Sequence, residues 1–175
     1  MKPRTGNSNG FTLIELIVTI TIASIIAVTA VPAFMNMNNT RLWRASSELA
    51  GHIKMARSLA MATRRRTWIR FNTAGESYET FIEHRDQPGR ASRIAVTHPV
   101  TGASSFVVSL DQDEFTGVQI SSASFGGQAE VEFDWLGRPY NGWGTLLSND
   151  GTVVLAADTS QTVRVTAGTG MVSED

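Results

Sequence analysis

A chain of 175 residues, 42% hydrophobic and 18% charged, has the length of one modest domain and enough apolar content to bury a core, which excludes a disordered chain. The absence of cysteine excludes disulfide crosslinks, thiol catalysis and cysteine-ligated zinc. The net charge of -1 conceals a segregation: residues 1–10 carry +2, Glu15 gives -1, residues 36–70 carry +7, and residues 71–175 carry -9 from five arginines against fourteen acids. The chain reads as a basic stalk joined to an acidic head.

Residues 1–10 form a short hydrophilic leader with Lys2 and Arg4. Residues 11–35 are apolar apart from Glu15 and a few hydroxyls. As a helix they would span roughly 37 Å at ~1.5 Å per residue, more than the ~30 Å hydrocarbon core of a bilayer, which predicts one membrane-spanning helix. A secretory signal has the same basic start. Here the apolar run is longer than in such signals, no small-x-small site closes it, and helix-compatible sequence follows, so the segment is expected to be retained.

Glu15 is the costly residue of the run. A carboxylate at the bilayer centre costs about 2.5–3.5 kcal/mol on insertion scales, so it is tolerable only near the interface or with a partner. Pro32 lacks a backbone N–H and crowds the preceding turn, which predicts a bend or local opening of the helix.

Past the apolar run, Leu42, Ala45, Leu49, Ile53, Ala56 and Ala60 recur at three- and four-residue steps, the signature of an amphipathic helix. The pattern predicts a helical continuation over 36–63 whose stripe packs on a sheet while Arg44, Glu48, Lys54 and Arg57 reach water. The whole helix is expected over about 11–63. Arg64, Arg65 and Arg66 fit its end, where cations complement the helix dipole; binding of anionic lipid or nucleic acid is the sharper alternative for them.

From Thr67 onward the chain reads as strands and turns, with strands expected at 67–71, 77–83, 93–97, 105–110, 117–121, 130–134, 151–156 and 162–166. Glycines and polar clusters punctuate them. The fold class is therefore α+β: a long amino-terminal helix, membrane-spanning in its first half and amphipathic in its second, packed on an antiparallel β head over 64–175.

Catalytic chemistry is not evident. His52, His84 and His98 have no partner at metal-ligand spacing and no adjacent nucleophile motif. Asp111, Asp113 and Glu114 form an acidic loop that lacks the Asp-x-Asp-x-Asp-Gly framework of a calcium loop, and it reads as a solvated turn. Trp135, Tyr140 and Trp143 could form a recognition patch around a glycine-rich turn, though core or hairpin packing is the preferred use. No catalytic residue, cofactor or metal ligand is predicted, and the chain is not read as an enzyme.

The stretch Gly10-Phe11-Thr12-Leu13-Ile14-Glu15 after the basic leader closely resembles the processing signal of type IV pilins and type II secretion pseudopilins. The resemblance implies that a prepilin peptidase cuts after Gly10 and methylates the new amino terminus at Phe11. It also implies that Glu15 is an assembly residue, whose carboxylate meets the amino-terminal ammonium of a neighbouring subunit, and that the helix loosens near Pro32 in a filament. In low dielectric such pairing removes much of the cost of both charges. In the head, Val131-Glu132-Phe133-Asp134, Leu136-Gly137-Arg138-Pro139, Val163-Arg164-Val165 and Gly170 resemble the GspH/FimT-like minor pilins, while 74–129 shares only a general strand pattern.

The function implied is a minor pseudopilin or pilin subunit that assembles into a periplasmic type II secretion pseudopilus or a type IV pilus, at its tip or initiation complex. Its partners would be the prepilin peptidase, other pilins and an inner-membrane assembly platform. Charge leaves the orientation nearly tied, with Lys2 and Arg4 facing Arg41 and Arg44 across the span; the resemblance places the leader in the cytoplasm and the head in the periplasm of a bacterium, with one pass through the inner membrane. The alternative is a pilus-associated DNA receptor for DNA uptake. The acidic head argues against nucleic acid, and the Gly-Arg-x-Arg motif of the DNA-binding members is replaced here by Gly170-Met171-Val172-Ser173.

Overall fold

A computed structural model describes residues 12–35 and 37–175, with side chains except those of 28–35 and Asp113. The chain divides into two compact units, Met1–Met37 and Asn38–Asp175, and each has its own logic. In the first, α1 (Leu13–Met35) is a single helix. It starts at a capping sequence, Thr-x-x-Glu: the backbone N–H of Glu15 donates to Oγ1 of Thr12 at 3.3 Å, which satisfies one of the amide groups left over at a helix start.

Apart from Glu15, the described surface of α1 is largely apolar, with Leu13, Ile14, Leu16, Ile20 and Ile25 exposed. Three of its hydroxyls bond within the helix: Thr19, Thr21 and Ser24 donate to the carbonyl oxygens of Leu16, Ile17 and Ile20 at 2.9, 2.7 and 2.7 Å, so these polar groups need no solvent. Helical backbone continues through Pro32 to Met35. Among the described residues no helix is long and apolar enough to cross a membrane; the span expected over 11–35 includes Phe11, which lies outside them. The continuous helix expected over about 11–63 is described as two, on either side of residue 36.

From Asn38 on, α2 (Met37–Thr63) belongs to the second unit, and its buried stripe contains all six residues expected from the periodicity, Leu42, Ala45, Leu49, Ile53, Ala56 and Ala60, together with Ser46 and Ala50. Arg44 and Lys54 reach water as expected and Glu48 does so in part. Arg57 does not simply solvate: its Nε donates to the carbonyl of Gly137 at 3.1 Å and a terminal nitrogen to that of Thr169 at 3.0 Å, tying α2 to two turns. The arginine triplet stands at the end of α2, which stops at Thr63 as expected. Arg64 takes a left-handed conformation, φ 53°, and the N–H of Arg65 closes on the carbonyl of Ala60 at 3.3 Å. This is the usual glycine-based helix stop with arginine at the glycine position.

Ten strands follow, antiparallel as expected and arranged in two sheets. The first sheet contains β1 (Thr67–Asn72), β2 (Ser77–Ile82), β3 (Ile94–Ala95), β4 (Phe106–Ser109), β6 (Glu130–Phe133) and β7 (Pro139–Asn141), in the order β3-β2-β1-β6-β7 with β4 also pairing β2. The second contains β5 (Gln119–Ser124), β8 (Gly151–Ala156), β9 (Ser160–Val165) and β10 (Val172–Glu174), in the order β10-β9-β8-β5. Each of the eight expected strands has a counterpart, whereas β7 and β10 were not expected. Both unforeseen strands are three residues long, too short to show alternation.

One core unites α2 with both sheets, including Ile69 and Phe71 of β1, Val131 and Phe133 of β6, Val153 and Leu155 of β8, and Val163 and Val165 of β9. Every residue of that core belongs to the second unit. Gly151 is held to glycine by packing, since a Cβ there would lie 2.1 Å from the ring of Phe125.

His52 sits at the edge of this core, with its ring edge-on to Phe106 at 4.7 Å and Nδ1 2.7 Å from the hydroxyl of Tyr78. Burial holds the Tyr78 phenol well above its ordinary pKa, so the phenol keeps its proton and donates, and His52 Nδ1 accepts. Burial, aided by nearby His98, lowers the His52 pKa from the ordinary 6.5 to about 4. On acidification the unfolded chain therefore takes up this proton before the folded one. The stability contributed by neutral His52 is complete above pH 6.5 and is lost as pH falls toward 4. Glu48, raised by burial and then by Glu114, acts in the opposite sense. Urea denaturation of the wild type and of His52→Gln across this range separates the two: the midpoint of the variant should fall less on acidification, and parallel curves would show that His52 does not carry the effect.

Candidate functional site

Of the residues singled out at the amino terminus, Gly10 and Phe11 lie outside the described residues. Glu15 stands in the first turn of α1, exposed, with its backbone fixed by the Thr12 cap. A carboxylate there is favoured by the amino-terminal end of the helix dipole. It is the one ionisable group in a helix whose other described polar side chains bond within the helix or cap it. Pro32 lies one turn before the end of α1.

In the head, chemistry concentrates on the outer face of the first sheet. Side chains alternate along a strand; on β6, Val131 and Phe133 enter the core, which sends Glu130, Glu132 and the following Asp134 to the opposite face. All three are nonetheless buried. Burying a carboxylate is costly unless it is paired and hydrogen-bonded, and each of these is. Glu130 is bound by Arg90 at 2.9 Å and by Arg93. Glu132 is bound by Arg66 and by the indole N–H of Trp68 at 3.0 Å. Asp134 accepts the backbone N–H groups of Leu136 and Arg138, both at 2.9 Å, and the Arg138 Nε at 2.8 Å.

The electrostatic consequences differ along the row. Burial raises the pKa of Glu132, and Arg66 offsets only part of that. For Asp134 burial acts the same way, but the hydrogen bonds from Arg138 and Leu136 outweigh it, so its pKa lies below the ordinary carboxylate value.

Above Glu132 opens a cleft of about 610 Å³, walled by Arg66, Arg90, Glu83 and Trp143. Glu83 is fully engaged with backbone, accepting the N–H of Gly89 at 3.0 Å and that of Arg66 at 3.3 Å. The guanidinium of Arg90 lies 4.4 Å from the centre of the Trp143 ring, within cation–π range. The volume falls within the ~300–1,000 Å³ of small-molecule sites.

The other residues singled out from the sequence are scattered. Trp135, Tyr140 and Trp143 do not form one patch: Trp143 lines this cleft, exposed Trp135 lies with Leu136, Met61 and Arg64, and half-buried Tyr140 donates to Asp134 at 3.3 Å. The arginine triplet divides likewise, with Arg65 bound to the carbonyl of Glu83, Arg66 to Glu132, and Arg64 exposed. His84 and His98 accept backbone N–H groups from their own turns. Among the described residues no cluster of three or more His, Cys, Asp or Glu could hold a metal ion. Arg90 and Arg93, which complete the buried pairs, were missed by sequence reasoning; the available signal was the acid at every second position from 130 to 134, which demands cations on the same face.

Comparison with known proteins bears on both ends of the chain. A family model described as the prokaryotic N-terminal methylation motif matches residues 5–31. Curated protein sequences give no match. Among solved structures, the minor pseudopilin EpsH from the type 2 secretion system of Vibrio cholerae aligns with a TM-score of 0.56 and 9% identity, over 77% of this chain and 96% of that one. The type IV minor pilin FimU of Pseudomonas aeruginosa aligns with a TM-score of 0.50 and 15% identity, over 78% of this chain and 90% of that one. At these identities the likeness is one of fold. The prokaryotic methylation motif and a head with the fold of these minor pilins and pseudopilins stand in one chain.

Proposed function

We propose that this chain is a minor pilin or pseudopilin subunit of the GspH/FimT-like kind. In this reading a prepilin peptidase removes residues 1–10 and methylates Phe11, residues 11–35 anchor the chain once in a bacterial inner membrane, and the head lies in the periplasm. The subunit then enters a type II secretion pseudopilus or a type IV pilus, at the tip or initiation complex, with other pilins and an assembly platform as partners. The observation that carries the reading is the methylation motif over 5–31 in a chain with a pilin-like head. EpsH comes from a secretion system and FimU is a type IV pilin, so both destinations retain support.

The chemistry of assembly follows from α1. Among the described residues no cation lies beside the Glu15 carboxylate, and cleavage after Gly10 would create one, the Phe11 ammonium, on every subunit. Pairing the two between neighbours in a low dielectric favours the register that brings them together. Pro32 is the proposed point of loosening.

DNA is not among the proposed partners, because DNA affinity comes largely from cations that neutralise phosphates. Residues 71–175 carry five arginines against fourteen acids, a net charge of -9 that opposes a polyanion.

Three outcomes are expected. Coexpression with a prepilin peptidase and sequencing of the amino terminus should give a chain beginning at Phe11, and any other start would refute the processing site. Glu15→Ala should insert and be cleaved normally yet be depleted several-fold from sheared filaments; recovery equal to wild type at the same expression would exclude an assembly role. In a low-salt gel shift, the head from Asn38 onward should leave duplex DNA unshifted at micromolar concentration, whereas a salt-sensitive shift there would favour the DNA receptor.

A further inference from the structure

The cleft above Glu132 has a division of charge that its composition hides. Of the two carboxylates that line it, Glu132 is at the bottom with 2% of its side chain exposed, and half-buried Glu83 in the wall accepts a backbone N–H on each oxygen. Glu130, beneath Arg90, exposes 6%, whereas Arg90 and Arg66 expose 37% and 34%, so the cations of the cleft meet solvent more than its acids do. Arg90 bonds Glu130 through Nε at 3.4 Å and one terminal nitrogen at 2.9 Å, and this leaves the donors of its second terminal nitrogen for another acceptor. The buried carboxylate thus fixes Arg90 in place without consuming it.

The indole of Trp143 is exposed yet fixed as well. It is 66% exposed, but its Nε1–H donates to Gln128 at 2.8 Å and its backbone N–H to Asn141 at 3.1 Å. The preceding Gly142 lets the turn lie against Glu130, where a Cβ would come 2.5 Å from that side chain. A large apolar ring held in solvent beside a fixed, partly unused guanidinium is arranged for contact with something else.

We propose that this cleft binds a carboxylate presented next to a planar group on a partner polypeptide. Arg90 and Arg66 would receive the carboxylate in charge-assisted hydrogen bonds, and Trp143 would stack on the neighbouring aromatic ring or peptide plane. The carboxylate comes either from an acidic side chain or from a chain terminus, and the chemistry of recognition is the same. The inference stands on the geometry of the head and is independent of leader processing and of Glu15.

The test follows the indole N–H signals of the isotopically labelled full chain in non-ionic detergent, with the Trp143 signal assigned through Trp143→Phe. The probes are acetyl-Ala-Glu-Phe-Ala-amide, its Gln analogue, acetyl-Ala-Phe with a free terminal carboxylate, and glucuronate. The Glu peptide or the terminal carboxylate should shift Trp143 saturably while Trp135 stays put, and whichever binds more tightly identifies the source. The Gln analogue should bind about tenfold more weakly, the equivalent of ~1.4 kcal/mol for a charge-assisted bond. Arg90→Gln, which leaves Glu130 paired with Arg93, should weaken binding similarly, and Trp143→Ala should weaken it with the fold intact. Equal binding of the Glu and Gln peptides, saturation by glucuronate alone, or no shift of Trp143 by any peptide at about 10 mM, beyond which affinity falls under ~3 kcal/mol, would each overturn the proposal.

Discussion

The head is organised around a row of buried carboxylates. Glu130, Glu132 and Asp134 occupy one face of β6 and its extension while Val131 and Phe133 hold the core on the other. Removing a charge from water is so unfavourable that each needs a cation and hydrogen bonds in fixed positions. Those requirements recruit Arg66 from just beyond α2, Arg90 and Arg93 from the segment between β2 and β3, and Arg138 from the turn after β6. Three segments, two of them far away in sequence, are thereby bound to one strand. Removing Arg66 would leave the buried Glu132 charge without its cation, at a cost of about 3–5 kcal/mol, so the network acts as a constraint on the fold as much as a source of stability.

The same principle accounts for the contrast between the two units. In the head, charges are buried with partners from the same chain. In α1 the hydroxyls bond to the helix's own carbonyls, yet Glu15 has no cation beside it among the described residues. Filament assembly is the proposed answer for Glu15.

Arginine serves several distinct ends here, and only geometry separates them. Arg57 holds two turns to α2, Arg65 bonds a backbone carbonyl, and Arg64 terminates the helix in a left-handed conformation that glycine usually adopts. The basic character of 36–70 therefore does not translate into a basic surface of the same size, and the acidity of the head is likewise partly internal.

Periodicity alone determined much of this protein. The six-residue stripe of α2, its packing on sheet and the eight principal strands follow from the spacing of apolar residues, because helices and strands repeat at fixed and different periods. The motif Gly10 to Glu15 pointed to the family because it is contiguous, and contiguous signals survive in a sequence. What only the tertiary structure decided depends on residues distant in the chain. The separation into two sheets rests on which strands pair, which local pattern does not encode. The partners of Glu130 and Glu132 lie 37 to 66 positions away, and the division of three aromatic residues between different neighbourhoods depends on how the turn folds over the sheet. Charge pairing and cleft formation are properties of proximity in space, so they became visible only once the strands were placed.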